Sequence, residues 1–140
     1  MVPPMVYQSP YPRVTIATTP LWPFVFGHAH QWLTKAALID GESGRTVTYA
    51  ELIRSTEDTC HGLIASGLRK GDVCAVFSPN RPEFASIFYG VIKAGGVITS
   101  INPLYSIAGL THQLRGSGAR FLVCAPALLP TAQAAAARAG

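Results

Sequence analysis

The stretch from Gly71 to Tyr105 constrains the fold most strongly, because it has the pattern of a strand, a helix and a second strand in direct succession. The apolar run Val73–Phe77 is short and does not alternate with polar residues, as is typical of a parallel strand covered on both faces. A second β-branched run, Val97–Ile101, follows the helix. The simplest arrangement is a right-handed β-α-β crossover, which predicts an α/β protein.

The helix between these strands has clear start and stop signals. Asn80 is the predicted cap, Pro82 lies in the first turn, and Glu83 follows the cap by three residues, as in a capping box. Gly95 and Gly96 end the helix. Its predicted buried face consists of apolar residues at helical spacing: Phe84, Ile87, Phe88, Val91 and Ile92.

Upstream, the sequence predicts a hairpin and another helix. Residues 36–40 and 45–48 flank the turn-rich Gly41–Gly44 and form the predicted hairpin. A second capping box, Thr48 to Glu51, opens a helix that reaches about Ser66.

The region before the hairpin divides at about residue 20. Residues 1–20 are rich in proline and lack a sustained period, which predicts an extended N-terminal arm. Residues 21–33 are predicted to form a short helix with Phe24 and Val25, and with Trp32, turned inward.

The alternating pattern continues after Tyr105. A helix is predicted from about Ser106, a third buried strand at Phe121–Cys124, and an alanine-rich helix over 128–139. The predicted fold class is therefore α/β: a partial, doubly wound, mainly parallel sheet with flanking helices. We expect residues 21–140 to form one incomplete N-terminal α/β subdomain, because the alternation stops without a closing strand.

Composition narrows the class of protein. Of 140 residues, 49% are apolar and 13% are charged, which indicates a globular chain with a large buried fraction. The net charge of +4 is scattered along the sequence, so binding of nucleic acid is not expected. The sequence shows no secretory signal and no uninterrupted apolar segment of membrane-spanning length. Three cysteines without metal-ligand spacing are expected to be reduced thiols in a cytoplasmic protein.

Ligands of parallel sheets gather beyond the carboxyl ends of the strands. Three loops meet this condition: Ser78–Arg81, Ser100–Tyr105 and Ala125–Pro126. The first is not glycine-rich, which argues against a phosphate cradle. No Ser-His-Asp arrangement, paired carboxylates or metal-ligand set stands out, so the residues alone predict no catalytic group and no metal site.

A succession of motifs resembles the N-terminal part of adenylate-forming enzymes, and most closely the fatty acyl-CoA synthetases and coumarate-CoA ligases. These motifs occur in the family's order and spacing; they lie at residues 46–52, 67–73, 78–84, 90–97 and 102–105. The resemblance implies a two-step reaction, in which a carboxylate and Mg-ATP form an acyl-adenylate and the thiol of CoA then displaces AMP.

The resemblance also implies that the family's catalytic elements lie outside this sequence. The family's Ser/Thr/Gly-rich phosphate loop, its acidic Mg ligands, its hinge and its lid lysine have no match here and would lie beyond Gly140. We therefore expect an N-terminal fragment of an ATP-dependent acyl-CoA synthetase of the fatty-acid–CoA ligase type, which is inactive alone and holds no cofactor of its own. ATP, Mg and CoA, with a fatty or aromatic carboxylic acid, are implied for the full-length enzyme.

One element implied by the resemblance lies within the chain. The segment Asn102, Pro103, Leu104 and Tyr105 is similar to the one that borders the pantetheine channel in CoA ligases, and it supplies the only candidate site residues. A rigid proline turn between strand and helix is the alternative interpretation of this segment.

Two other functional classes stay open from the sequence. One is an interaction or regulatory module that keeps the fold without catalysis, and the other is a small nucleotide- or flavin-binding protein with a flavodoxin-like sheet. An incomplete sheet also exposes an unpaired edge, which predicts self-association of the chain.

Overall fold

The computed structural model describes residues 7–140. Its helices are α1 (Leu21–Phe26), α2 (Tyr49–Ala65), α3 (Pro82–Lys93), α4 (Ile107–Ser117) and α5 (Leu129–Ala139). Its strands are β1 (Ala36–Ile39), β2 (Thr46–Thr48), β3 (Val73–Phe77), β4 (Val97–Ile101) and β5 (Ala119–Cys124). Single 3-10 turns occupy Ala29–Trp32 and Pro126–Leu128. Helices and strands alternate as predicted, which confirms the α/β class.

The three later strands form one parallel sheet in the order β4-β3-β5. Phe77 at the end of β3 lies opposite Ile101 on one side and Cys124 on the other. The strands run parallel because a helical crossover returns the chain to the same end of the sheet each time. Strands β1 and β2 form a separate antiparallel hairpin, as predicted.

Helices cover both faces of this sheet, because successive side chains of a strand point in opposite directions. Cys74 packs with Leu68 and Val91 beneath α2 and α3. Phe77 packs with Leu110 and Ala135 beneath α4 and α5. The result is a three-layer α/β/α arrangement, doubly wound as predicted.

The segment before the hairpin differs from the prediction of one helix over 21–33. Helix α1 ends at Phe26, and Phe24 is 60% exposed; Val25 and Trp32 are also exposed. Phe26 is buried instead, stacked on Trp22 and edge-on against Tyr89 of α3 at 4.8 Å between ring centroids. Trp22 and Phe26 lie four residues apart and so share the helix face that meets α3, whereas Phe24 lies on the opposite face.

Residues 7–20 contain no helix or strand. The first six residues of the predicted arm lie outside the described range. The division of the chain at residue 20 therefore stays a prediction.

The two predicted capping boxes have different outcomes. Thr48 caps α2 reciprocally with Glu51: the Glu51 N–H donates to Thr48 Oγ1 at 3.3 Å, and the Thr48 N–H donates to Glu51 Oε2 at 2.7 Å. The prediction for Asn80 is wrong, because Arg81 occupies the cap position of α3. A residue before proline is disfavoured in helical conformation, so Arg81 stays extended and the helix begins at Pro82.

Candidate functional site

The carboxyl edge of the sheet contains a topological switch point between β3 and β5. The chain leaves β3 through α3 on one face and leaves β5 toward α5 on the other, so the two exit loops diverge. Ligand crevices of parallel α/β sheets open at such points. Here a crevice of about 350 Å³ is lined by Ser78, Arg81, Glu83, Ile87, Cys124, Ala125 and Pro126.

Short-range interactions hold the crevice in shape. The Ala125 N–H donates to the Phe77 carbonyl at 3.1 Å, which joins the exit loop of β5 to the end of β3. The Ser78 hydroxyl donates to the Pro79 carbonyl at 3.0 Å, so its proton is already engaged. The floor of the crevice is thus set by backbone contacts that do not depend on a ligand.

The charged groups of the crevice largely neutralise each other. Arg81 Nε lies 3.5 Å from Glu83 Oε2, and Glu83 also forms an ion pair with Arg45 of the hairpin. The pKa of Glu83 is lowered, first by its own backbone N–H in the first turn of α3 and then by the Arg45 guanidinium. Glu83 is therefore a carboxylate at neutral pH, and it already has two arginine partners.

The sulfur in the crevice is not an activated nucleophile. Burial raises the pKa of Cys124, so the thiol stays protonated at neutral pH. Burial likewise raises the pKa of Cys74 in the neighbouring strand to about 11. The lining residues that the structure describes include no imidazole, and the one carboxylate among them, that of Glu83, is paired with arginines.

The predicted site residues form a tight turn after β4. The Leu104 N–H donates to Asn102 Oδ1 and the Tyr105 N–H donates to the Asn102 carbonyl, both at 3.0 Å. Ser106 then caps α4 by accepting the Gly109 N–H at 3.3 Å. Leu104 is 88% exposed and Tyr105 is 43% exposed, so the turn presents two large apolar side chains to solvent.

The turn and the crevice lie on opposite sides of β3. None of residues 102–105 lines the crevice, because β4 and β5 flank the central strand. Tyr105 instead borders a groove of about 450 Å³ along α4, with Gly109, His112 and Gln113. Gln113 Nε2 donates to the Ser100 carbonyl at 3.0 Å and so fixes the end of β4 beside the turn.

Sequence reasoning placed the three exit loops at this edge but missed three lining residues of the crevice. Glu83 and Ile87 lie four residues apart on α3 and therefore share one face, which is a usable signal. Cys124 is the last residue of the half-buried strand β5, a position that also points to the carboxyl edge.

Residues 25–139 match the family described as AMP-binding enzyme. The chain belongs to the AMP-binding enzyme family. It is 33% identical over 119 residues to 4-coumarate–CoA ligase-like 1 of Arabidopsis thaliana, a match that covers 84% of this chain and 22% of that protein. The chain thus spans about a fifth of the length of the curated relatives that it matches.

Solved structures carry the same fold. A benzoate CoA ligase from Burkholderia xenovorans LB400 aligns with a TM-score of 0.76 at 24% identity, over 81% of this chain and 23% of that one. The inhibitor-bound N-terminal domain of FACL13 from Mycobacterium tuberculosis aligns with a TM-score of 0.71 at 27% identity, over 76% and 27% of the two chains. These matches confirm the predicted resemblance to the N-terminal part of adenylate-forming enzymes.

Both structural features fall within the region that matches the AMP-binding family, since the crevice and the turn lie between residues 78 and 126. Across residues 7–140, no helix is long and apolar enough to cross a membrane. The same residues contain no group of three His, Cys, Asp or Glu side chains arranged to hold a metal ion.

Proposed function

We propose that this chain is the N-terminal α/β part of an ATP-dependent acid–thiol ligase of the acyl- or aryl-CoA type. The observation that carries the proposal is the match of residues 25–139 to the AMP-binding family. In the proposed reaction a carboxylate oxygen attacks the α-phosphate of Mg-ATP and releases pyrophosphate, and the CoA thiol then displaces AMP from the acyl-adenylate. The name of the curated relative, a 4-coumarate–CoA ligase-like protein, favours an aromatic carboxylic acid as the substrate.

Within that enzyme the chain acts as scaffold and does not catalyse adenylation alone. Adenylation requires groups that bind and stabilise the transferring phosphoryl group, and the sequence contains no Ser/Thr/Gly-rich loop followed by Pro-Lys-Gly. The crevice supports the same proposal, because Glu83, the one carboxylate among its described lining residues, already pairs with two arginines.

ATP–pyrophosphate exchange tests this proposal directly. We expect the purified chain, given Mg-ATP and 4-coumarate, benzoate or a fatty acid, to show exchange at the level of a protein-free blank. Acid-dependent exchange above that level would overturn the assignment as a scaffold.

We further propose that the turn Asn102–Tyr105 forms one wall of the channel for the pantetheine arm of CoA. Pantetheine is a narrow chain of amides and methylenes, so its channel needs a fixed apolar wall beside hydrogen-bonding groups. Leu104 and Tyr105 supply exposed apolar surface, and the hydrogen bonds of Asn102 hold them in place before any ligand arrives.

Pantetheine, which carries no phosphate, is the probe for this wall. We expect its addition to the ¹⁵N-labelled chain to shift the amide signals of residues 104–109 saturably. The double variant Leu104→Ala/Tyr105→Ala should lose these shifts, whereas Leu129→Ala, at another exposed leucine, should keep them. Shifts located elsewhere, or equal loss in both variants, would reject the channel wall.

We also propose that the isolated chain self-associates through an open edge of its sheet. Strands β4 and β5 each pair on one side only in the described residues, and Val97 at the start of β4 is 51% exposed. An open edge offers unpaired backbone groups to a second strand. Light scattering should show dimers or larger species that Val97→Lys reduces, while a monomer at high concentration would contradict the proposal.

A further inference from the structure

The charges of this chain are divided unequally along its length. All seven acidic residues lie between Asp40 and Glu83, where they balance the seven Lys and Arg residues of positions 1–83. Residues 84–140 contain no Asp or Glu and four cations, which account for the whole net charge of +4. Any surface built only from this second part therefore carries no acidic side chain.

Folding neutralises two of these four cations. Lys93 pairs with Glu57 and Arg120 pairs with Asp72, each at 2.8 Å, so both reach back to carboxylates of the first part. Arg115 and Arg138 have no carboxylate within ion-pair distance among residues 7–140. Of the four cations in residues 84–140, the two without an acidic partner thus lie where α4 and α5 meet.

These two arginines line one cleft of about 460 Å³ together with His112, Thr111 and Ala108. Ala108, His112 and Arg115 recur at helical spacing on α4, and Arg138 faces them from α5. The Thr111 hydroxyl donates to the Ile107 carbonyl at 2.7 Å and is therefore already engaged. The groups left to meet a ligand are two guanidiniums and one imidazole.

The guanidinium of Arg115 is already oriented in this cleft. One of its nitrogens donates to the Arg138 backbone carbonyl at the end of α5, which anchors it while its other N–H donors stay available. A guanidinium fixed in this way loses less conformational freedom when it binds an anion, and its planar fork matches phosphate oxygens.

We propose that the α4–α5 cleft is an anion site that takes phosphate or a phosphate ester through Arg115, Arg138 and His112. The site does not depend on the proposed ligase function, since it uses neither the crevice between β3 and β5 nor Leu104 of the proposed channel wall. The ligand class follows from two permanent cations and a third donor converging on a concave surface that carries no acid.

Titration with inorganic phosphate at constant ionic strength tests the site. Side-chain NMR signals of Arg115, Arg138 and His112 should shift saturably in the whole chain. Arg138→Gln should weaken binding about tenfold, because it removes a charge-assisted hydrogen bond to the anion. Arg54→Gln makes the same charge change at an exposed position on α2 and should leave the affinity unchanged.

Arg138→Gln is the main variant because the Arg138 side chain makes no hydrogen bond or ion pair within residues 7–140. Arg115→Gln is less suitable, because it also removes the hydrogen bond from the Arg115 side chain to the Arg138 carbonyl, which joins α4 to α5. Unsaturable shifts spread over all exposed arginines, or equal weakening in Arg138→Gln and Arg54→Gln, would overturn the proposal.

Vesicles with and without phosphatidic acid identify the source of the phosphate. Cosedimentation that inorganic phosphate reverses assigns a lipid headgroup, and phosphate binding without cosedimentation assigns a soluble ester.

Discussion

Gly90 of α3 lies directly against Thr59 of α2: a Cβ atom added to the glycine would be 2.7 Å from the Thr59 Cβ and Cγ2 atoms. The two helices can approach this closely only where one of them has no side chain. This contact helps to fix the position of the layer that covers one face of the sheet.

Gly90→Ala should therefore destabilise the chain by about 1–3 kcal/mol through overpacking. Gly62→Ala in α2 is the matched control, since nothing lies within 4 Å of its added Cβ. That substitution should stabilise the chain by about 0.5–1 kcal/mol through helix propensity. Chemical unfolding of both variants checks the pair, and similar effects would show that the contact is not tight.

Phe26 and Phe24 offer a test of how α1 is docked. Phe26→Ala should cost about 3–5 kcal/mol, because it removes a buried ring from the cluster with Trp22 and Tyr89. Phe24→Ala should change stability by less than about 0.5 kcal/mol, because that ring is exposed. Urea denaturation gives both values, and a larger loss in Phe24→Ala would mean that α1 is rotated from the orientation described.

The two predicted helix caps can be compared in the same way. Thr48→Ala removes a side chain that accepts a backbone N–H and should cost about 1 kcal/mol. Asn80→Ala should be close to neutral, because Asn80 is exposed and Arg81 occupies the cap position of α3. Thermal unfolding at neutral pH measures the stability of both variants. A loss in Asn80→Ala comparable to that in Thr48→Ala would show that Asn80 does cap α3.

The lowered pKa of Asp72 predicts how acid affects the stability of the chain. Its pKa is lowered, first by the Arg69 N–H and then by the side chain of Arg120, so the folded state favours the ionised form. The resulting stabilisation is complete above the unfolded pKa of about 4 and is lost as the pH falls through the lower folded value.

Asp72→Asn should therefore have a lower Tm than the parent chain at pH 7, and the difference should shrink in acid. Asp58→Asn is the control, because Asp58 is exposed and has no ion-pair partner among residues 7–140. A difference in Tm for Asp72→Asn that is constant with pH would show that the carboxylate contributes by packing rather than by charge.

The order of elements was predictable because local signals and the global pattern agree. Val73–Phe77 and Val97–Ile101 are strands at the predicted bounds, since short runs rich in apolar residues that start after a glycine and stop before a proline leave few alternatives. The inward face of α1 was not predictable, because it depends on contact with Tyr89 of α3, which lies more than sixty residues later. Asn80 failed as a cap because the restriction that Pro82 places on Arg81 outweighs a capping preference.

The candidate site at the carboxyl edge of the sheet was likewise predictable only in part. The exit loops were predictable, because the carboxyl ends of parallel strands share one edge of the sheet. Their grouping was not: strand order places β5, and not β4, beside the crevice, so Cys124 lines it and Asn102 does not. The α4–α5 cleft was not predictable, because Arg115 and Arg138 are far apart in sequence and converge only when α5 packs on α4.

The strand order also dictates when this chain can fold during its own synthesis. β3 lies at the centre of the sheet, yet both of its partners are made after it, and Phe77 pairs with Cys124 near the end of the described chain. Until β5 leaves the ribosome, a strand with four consecutive buried residues has an uncovered edge. Such nascent species are prone to aggregate, so slower translation before residue 124 should increase the demand for chaperones.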